Sequence, residues 1–434
     1  MKKRTNPYAT STPCCNNKRR RNNPEVVLPR AVFESIFERL PLIDIARTKA
    51  VSSSWKSSAE SLPCSRLQKA PWLLLPPKDE EEENDTQSCR FKNIEENIAY
   101  CLKKKTSDLL FKFPCIGSSN GWLVLLDHTT FTPFLFNPFT EVQIQLPSLK
   151  SLFNISEIYQ TDCGDYEVKF GKQSKYIDLQ CLRHSFVSKA ILSAEPVGDY
   201  CVVLIYNNNG HKLGYFRNGD KSWTEFDNSW SGKVFHGYED IICFNNMLYA
   251  VDRNRGIRAW DLQSHPPVKR MEVTPAISEG ANSFGDDDGE LCNIRSSYLV
   301  ESEGKFILVD KFVREGEEIL DDCLYRTEQF RLYKLDLDGV QWVKLNSLGD
   351  RSLFLGGNHS ISISTKDLPT CKRNSIYFTD DYWIRMLFKG WSYGHDNGIY
   401  SLEDGSCSQI YGFESENVHP LPCWIVPNSC KFDV

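Results

Sequence analysis

Asp380 and Asp381 follow the run Ile376-Tyr377-Phe378-Thr379, and adjacent residues of this type could be a carboxylate pair of the kind general acid–base chemistry uses. Turn formation explains such a pair at a strand end equally well and is the expectation here. Asp286-Asp287-Asp288-Gly289 invites a calcium loop. With Gly289 placed on the invariant glycine of an EF-hand, Phe284 falls at the first ligand and Arg295 at the bidentate glutamate, so that geometry is excluded. The eight histidines are dispersed; His359 and His395 lie near acidic or amide residues, yet each reads as a turn residue before a general base. The patterns GxxxxGK[ST] and HExxH are missing, so nucleotide and zinc-peptidase chemistry lack their phosphate loop or ligands. Sixteen cysteines contain no CxxC spacing, and Cys14 adjoins Cys15, which argues against structural zinc and for reduced, mostly buried thiols. The expectation is no catalytic residue, no cofactor and no metal. Trp383, Trp391 and Tyr393 stand in the longest aromatic stretch without strand alternation and are candidate anchors for a protein substrate, core packing being the competing account.

The elements that would carry such anchors are predominantly strands. From about Phe111 onward, short runs of Val, Ile, Leu, Tyr, Phe and Trp alternate with Gly, Asn, Asp and Pro clusters. One sandwich seldom grows to the some 320 residues involved, and a parallel α/β fold would need helices between strands. A degenerate unit recurs: GWLVLLD with PFLFNPFTEVQIQLP, YCVVLIYNNNGHKLGYFRNGDKSWTEF, DIICFNNMLYAVDRNRGIRAWDL, SSYLVESEGKFILVDKFV with FRLYKLDLDGVQWVKL, and NSIYFTDD with NGIYSLEDGSCSQIY. At about 40 to 50 residues per unit, radial repetition predicts a β-propeller of six or seven blades, although only five units can be marked. Closure of such a ring places early and late strands in one blade.

Leu28 to about Leu62 has a different period. Val32, Phe33, Ile36, Phe37 and Leu40 fall on one helical face, Pro29 suits a first turn and Pro41 a stop. Asp44 can cap a short second turn, and a third helix from about Ser52 spaces Val51, Trp55 and Ala59 four apart. Three short helices carry more apolar surface than so small a unit can bury, which argues for a partner. The remaining boundaries are compositional: a disordered basic arm over 1–24 with Lys18-Arg19-Arg20-Arg21, the helical module over 25–70, a Pro-Pro and acidic linker over 71–88, and the propeller over 89–434. Within the last, Arg90-Phe91-Lys92 and Ala99–Leu102 fit a hairpin around Glu95-Glu96-Asn97.

A net charge of −6 offers no general attraction to nucleic acid, and no run reaches the about 20 apolar residues that cross a bilayer. The N-terminus lacks the apolar core of a signal peptide, so a soluble intracellular chain is expected, without a nucleic-acid or membrane partner. The basic arm suits nuclear import, giving a nuclear and cytoplasmic expectation.

The order Leu28-Pro29, Val32, Ile36, Leu40-Pro41-Leu42, Asp44, Val51 and Trp55-Lys56 resembles the F-box, the helical module that docks on the Skp adaptor of cullin-based ubiquitin ligases. It departs from many members at Ser35 and Ser52. Ser118–Leu123, Leu135–Thr140 with Leu146-Pro147, Ile376–Asp381 and Gly398–Gly405 resemble the plant F-box proteins whose C-terminal kelch-like domain is of unknown function. The resemblance implies a non-catalytic substrate-recognition subunit of a Skp-cullin-F-box ligase, docked through Leu28, Pro29, Ile36, Leu40, Pro41, Leu42, Val51 and Trp55. Its propeller would recruit an unknown protein substrate. The alternative is a propeller enzyme or small-molecule binder with a helical cap, which converging polar residues at the channel mouth would favour and a shallow aromatic-lined face would oppose.

Overall fold

A computed structural model describes residues 29–37, 40, 44, 48, 52–61, 70–77, 88–207, 211–226, 237–277, 294–315, 325–390, 393–411 and 418–427. The chain divides into two compact units, 1–62 and 63–434. In the first, helix α1 spans Arg30–Phe37 and helix α2 spans Ser53–Ser61. Pro29 accepts the first-turn N–H of Val32 at 2.9 Å, and the Ser52 hydroxyl accepts the Trp55 N–H at 3.4 Å. Phe33 and Phe37 are buried and meet Trp55 edge-on at 5.1 and 5.9 Å, with Leu40 packed alongside.

The second unit is the expected propeller, and among the described residues six blades present inner strands around two cavities. Each supplies one inner strand: Trp424–Ile425, Cys115–Ser119, Val187–Leu192, Tyr238–Phe244, Ile294–Ser302 and Ser360–Ser364 for blades 1 to 6. The five units marked in the sequence are blades 2 to 6. Blade 1 escapes that repeat because its strands come from both ends of the domain: Trp424–Ile425 pairs antiparallel with Trp72–Leu75, which continues to Arg90–Asn93 and Ile98–Cys101. The linker assignment of 71–88 is therefore corrected at its start, since Trp72–Leu75 is a fully buried strand. The acidic run Asp79–Asp85, the arm over 1–24 and Asp286–Gly289 lie outside the described residues. The hairpin of Arg90–Asn93 and Ile98–Cys101 forms as expected.

A seventh sheet, Ile155–Gln160, Tyr166–Phe170 and Gln173–Ile177, supplies no residue to either cavity. Its Ile155, Tyr166 and Val168 pack into the core shared by blades 2 and 3, while its outer strands are largely exposed. Blade 6 departs from a simple meander: Arg351–Leu355 pairs parallel with Ser375–Phe378 and antiparallel with Ser360–Ser364. Inner strands of blades 2 and 3 approach closely at Gly117, where a Cβ would stand 1.8 Å from the Ala190 carbonyl oxygen, so no larger residue fits. Among the described residues no helix is long and apolar enough to cross a membrane. The ten described cysteines are free thiols, four buried and three exposed, so burial is less general than expected.

Closure rests on Trp424. The residue is fully buried; its indole N–H donates to the Leu355 carbonyl at 3.0 Å, and its own carbonyl accepts from Ser118 at 2.6 Å and from Asn358 at 2.7 Å. Replacing Trp424 by alanine should cost about 3–5 kcal/mol and lower the whole propeller's melting in one cooperative step. Near-ultraviolet dichroism that melts unchanged would contradict closure by this strand.

Candidate functional site

In the helical unit the apolar stripe of α1 divides in two. Phe33 and Phe37 turn inward onto Trp55, while Val32 is 41% exposed, Ile36 is half-buried and Pro29 is exposed. Leu40 and Trp55 are half-buried, so Trp55 belongs at least partly to the module's own core. Of the other expected docking residues, Leu28, Pro41, Leu42 and Val51 lie outside the described residues.

In the propeller the converging groups lie where the inner strands begin. A cavity of about 350 Å³ opens there, lined on one side by Leu74, Leu110, Pro114, Ile116 and Pro422, and on the other by Lys189, Glu239, Asp240, Tyr298, Asp380 and Asp381. His184, His211 and His419 also line it. Burial holds His211 and His419 below the usual imidazole range and takes His184 down to about 3, so these rings serve as neutral hydrogen-bonding groups. A second cavity of about 500 Å³ lies toward the strands' other ends, lined in part by Asn120, Lys189, Glu195, Glu301 and His359.

The mouth's charged wall is built across blades. Asp240 of blade 4 holds the Lys189 ammonium of blade 3 and accepts the Leu299 N–H of blade 5 at 2.8 Å. Asp310 of blade 5 pairs with Arg255 and accepts from Ser297 at 2.7 Å. Lys311 of blade 5 is wholly buried and reaches Asp381 at 2.7 Å and Asp396 at 3.0 Å. Tyr298 donates to Asp381, Tyr325 to Asp380, and Thr327 to Asp396 through both its N–H and its hydroxyl. Burial pulls the Lys311 pKa down, but Asp381, Asp396 and Asp380 outweigh that and hold the ammonium charged.

The turn expected at Asp380-Asp381 is thus only part of what the pair does. Asp380 does accept the Tyr382 N–H at 2.9 Å, yet it also accepts Gly394 N–H at 2.7 Å and shares one ammonium's field with Asp381 and Asp396. Lys311 and Asp396 had no sequence signal, because ladder register decides what a lone Lys in KFILVDKFV faces. His359 borders the second cavity, and His395 lies in the chain that leads to Asp396. Among the described residues no group of His, Cys, Asp and Glu is arranged to hold a metal ion. Of the aromatic anchors, Trp383 begins the helix Trp383–Lys389, Tyr393 is half-buried against Val313, Tyr325, Tyr382 and Met386, and Trp391 lies outside the described residues. Tyr393 therefore follows the core-packing account.

An F-box domain matches residues 27–67, and the KIB1-4 beta-propeller family matches residues 92–401. The chain belongs to the plant F-box proteins that carry a KIB1-4 β-propeller. This F-box propeller protein is 28% identical to F-box protein KIB4 of Arabidopsis thaliana, over 83% of each chain. It is 26% identical to F-box/kelch-repeat protein KIB1, over 89% of this chain and 83% of that one. With F-box protein SKIP23, identity is 26% over 93% and 95%, both relatives again being from Arabidopsis thaliana. Among solved structures, the N-terminal domain of Nup159 is matched over 75% of this chain and 80% of that one, at 13% identity and a TM-score of 0.26, too distant to build on. The family match leaves out Trp72–Leu75 and Trp424–Ile425, the two strands that close the ring.

Asp380 is pushed up to about 7, by burial first and the Asp396 charge second, against the opposing pull of Lys311 and Tyr325. The folded chain therefore holds this proton more tightly than the unfolded chain, whose carboxyl titrates near 3.8. The stability it contributes is complete below about pH 4 and is lost as pH rises through about 7. Asp380→Asn should remove that component, so the wild type should lose melting temperature relative to the variant between about pH 5 and pH 8. Parallel curves would show that Asp380 titrates near its ordinary value.

Proposed function

We propose that this chain is the substrate-recognition subunit of a Skp-cullin-F-box ubiquitin ligase. The observation that carries the reading is the F-box match at 27–67, joined in one chain to a propeller of its own core. The exposure of Val32 and Pro29 beside half-buried Ile36 and Leu40 leaves apolar surface on α1 for the Skp adaptor. Leu28, Pro29, Ile36, Leu40, Pro41, Leu42, Val51 and Trp55 form the docking face, with cullin reached through the adaptor. The propeller holds a protein substrate, and the chain contributes proximity: it raises the local concentration of substrate lysines near a ubiquitin carrier and needs no nucleophile of its own.

The substrate approaches the mouth with the 350 Å³ cavity, because the helix Trp383–Lys389 supplies both a candidate anchor, Trp383, and a cavity-lining residue, Ile384. Trp391 and Tyr393 follow it in the chain. A second reading, a small polar ligand in that cavity, is favoured by the convergence of Lys189, Asp240, Asp380 and Asp381 on one wall. Soaking or titration with candidate ligands in the absence of any protein partner separates the two. The basic arm with Lys18-Arg19-Arg20-Arg21 directs the chain to the nucleus as well as the cytoplasm. Alanine at all four positions should shift a tagged copy toward the cytoplasm, and an unchanged distribution would remove the import role.

Truncating a buried interface anchor costs about 2 kcal/mol or more, roughly thirtyfold in affinity. Leu40→Ala with Pro41→Ala should weaken Skp co-purification by at least that factor while the propeller's melting stays put, since the two units have separate cores. The variant should still bind its substrate without supporting ubiquitination. Undiminished Skp binding would sink the docking assignment.

A further inference from the structure

Two thiols meet at the ring closure. Cys423 immediately precedes the closing strand Trp424–Ile425, and its carbonyl accepts the Leu74 N–H at 2.9 Å. Cys115 opens the inner strand of the neighbouring blade 2, whose Ser118 donates to the Trp424 carbonyl at 2.6 Å. Both cysteines line the 350 Å³ cavity; the Cys115 thiol donates to the Gly117 carbonyl at 3.3 Å and lies close enough to the Cys423 thiol to act on it. Cys115 is half-exposed, whereas Cys423 is buried. The 306 positions between Ser118 and Trp424 show how far apart in sequence the bonded strands lie.

We propose that Cys115 and Cys423 form a redox site in which a peroxide closes a disulfide that locks the propeller ring. Cys115 reacts first, because its sulfur is reached from the cavity. Its thiolate attacks one peroxide oxygen; the O–O bond breaks, an S–O bond forms, and the leaving hydroxide takes up the thiol's proton as water. The Cys423 sulfur then attacks the sulfenic sulfur. The S–S bond forms, the S–O bond breaks, and hydroxide leaves with the Cys423 proton as a second water. Two thiols lose two electrons, and one hydrogen peroxide becomes two waters.

The thiol of Cys423 is held well above its usual range, by the Cys115 thiol first and by burial second. That keeps it unreactive toward peroxide in bulk and reserves it for the sulfenic acid beside it. Cys89, the third thiol nearby, is wholly buried, so it is not the first point of attack. A bridge here would join residues some 300 positions apart, where loop closure gains most from a covalent tie.

The test uses the full chain, reduced and then treated with hydrogen peroxide, followed by peptide mapping without reductant and by thermal melting. A Cys115–Cys423 linked peptide is expected, with a melting temperature about 5 °C or more higher that dithiothreitol reverses. Cys115→Ser and Cys423→Ser should each abolish both the link and the rise. Cys115→Ser is the safer variant, because that side chain is half-exposed and its loss leaves the closing strand intact. Recovery of both thiols free, or a Cys89–Cys423 link in their place, would overturn the site. A Cys115–Cys423 link that leaves the melting temperature unmoved would overturn the lock.

Discussion

Ring closure through Trp424–Ile425 is the constraint on which the propeller depends. Only two residues of this strand pair with Trp72–Leu75, too few ladder hydrogen bonds to hold a domain of this size together. What makes the closure sufficient is the indole. Trp424 packs with Leu73, Leu75, Phe354 and Tyr377 and meets the Phe354 ring edge-on at 5.1 Å, so the core of blades 1 and 6 is one body. Its carbonyl is shared by Ser118 of blade 2 and Asn358 of blade 6, and Asn358 also donates to the Ser118 hydroxyl at 2.9 Å. One peptide unit thereby ties three blades.

With the ring closed, every blade must approach its neighbours at the same small radius, and the sequence responds with small or polar groups at each seam. Gly117 lets blade 2 meet the Ala190 backbone of blade 3, where Ser119 also accepts the Leu192 N–H at 3.2 Å. Lys189–Asp240 serves the next seam, Arg255–Asp310 the one after, and Lys311 with Asp381 and Asp396 the last before closure. Burying such charges costs several kcal/mol per ion, so these pairs give little net stability over apolar packing. Their value is directional: each carboxylate accepts only from donors that correct registration brings to it, and a slipped strand would strand a charge in the wall. At the last seam burial first and the Asp396 charge second raise Asp380, since the single ammonium of Lys311 is shared among three carboxylates.

The parts of this design that were legible in the sequence are the contiguous ones. Blades 2 to 6 each arise from an unbroken stretch, so alternation and turn residues reveal them, as with WLVLLD followed by PFLFNPF. Blade 1 is split across some 350 residues, and no local pattern marks Trp72–Leu75, lying between two prolines' reach and an acidic run, as a strand. The seventh sheet was equally hidden, because its exposed strands Ile155–Gln160 and Gln173–Ile177 lack an apolar face of usual width. In α1 the 3.6-residue period was visible, but one stripe became two, since only the position of Trp55 decides that Phe33 and Phe37 turn inward while Val32 stays out. The charged wall was unreadable for a related reason: Asp380-Asp381 looks like any turn until Lys311 and Tyr325 are brought against it from another blade.

The same separation gives the chain two surfaces of independent origin. The apolar surface left on α1 comes from a helix too short to bury all its apolar residues, a deficit set by local sequence and independent of the ring. The propeller's loops and strand ends are fixed in place by the closed scaffold, so they are free to vary without endangering the fold. The cavity at the mouth sits between these demands. Its charges are engaged in holding seams, so a ligand or side chain entering there must offer hydrogen bonds or charge that the wall can accept without releasing Lys189 from Asp240 or Lys311 from Asp381. Even the neutral imidazoles of His211 and His419 are engaged, at 3.2 Å from the Tyr238 carbonyl and 3.0 Å from the Phe111 carbonyl, so the rim too is part of what keeps the ring together.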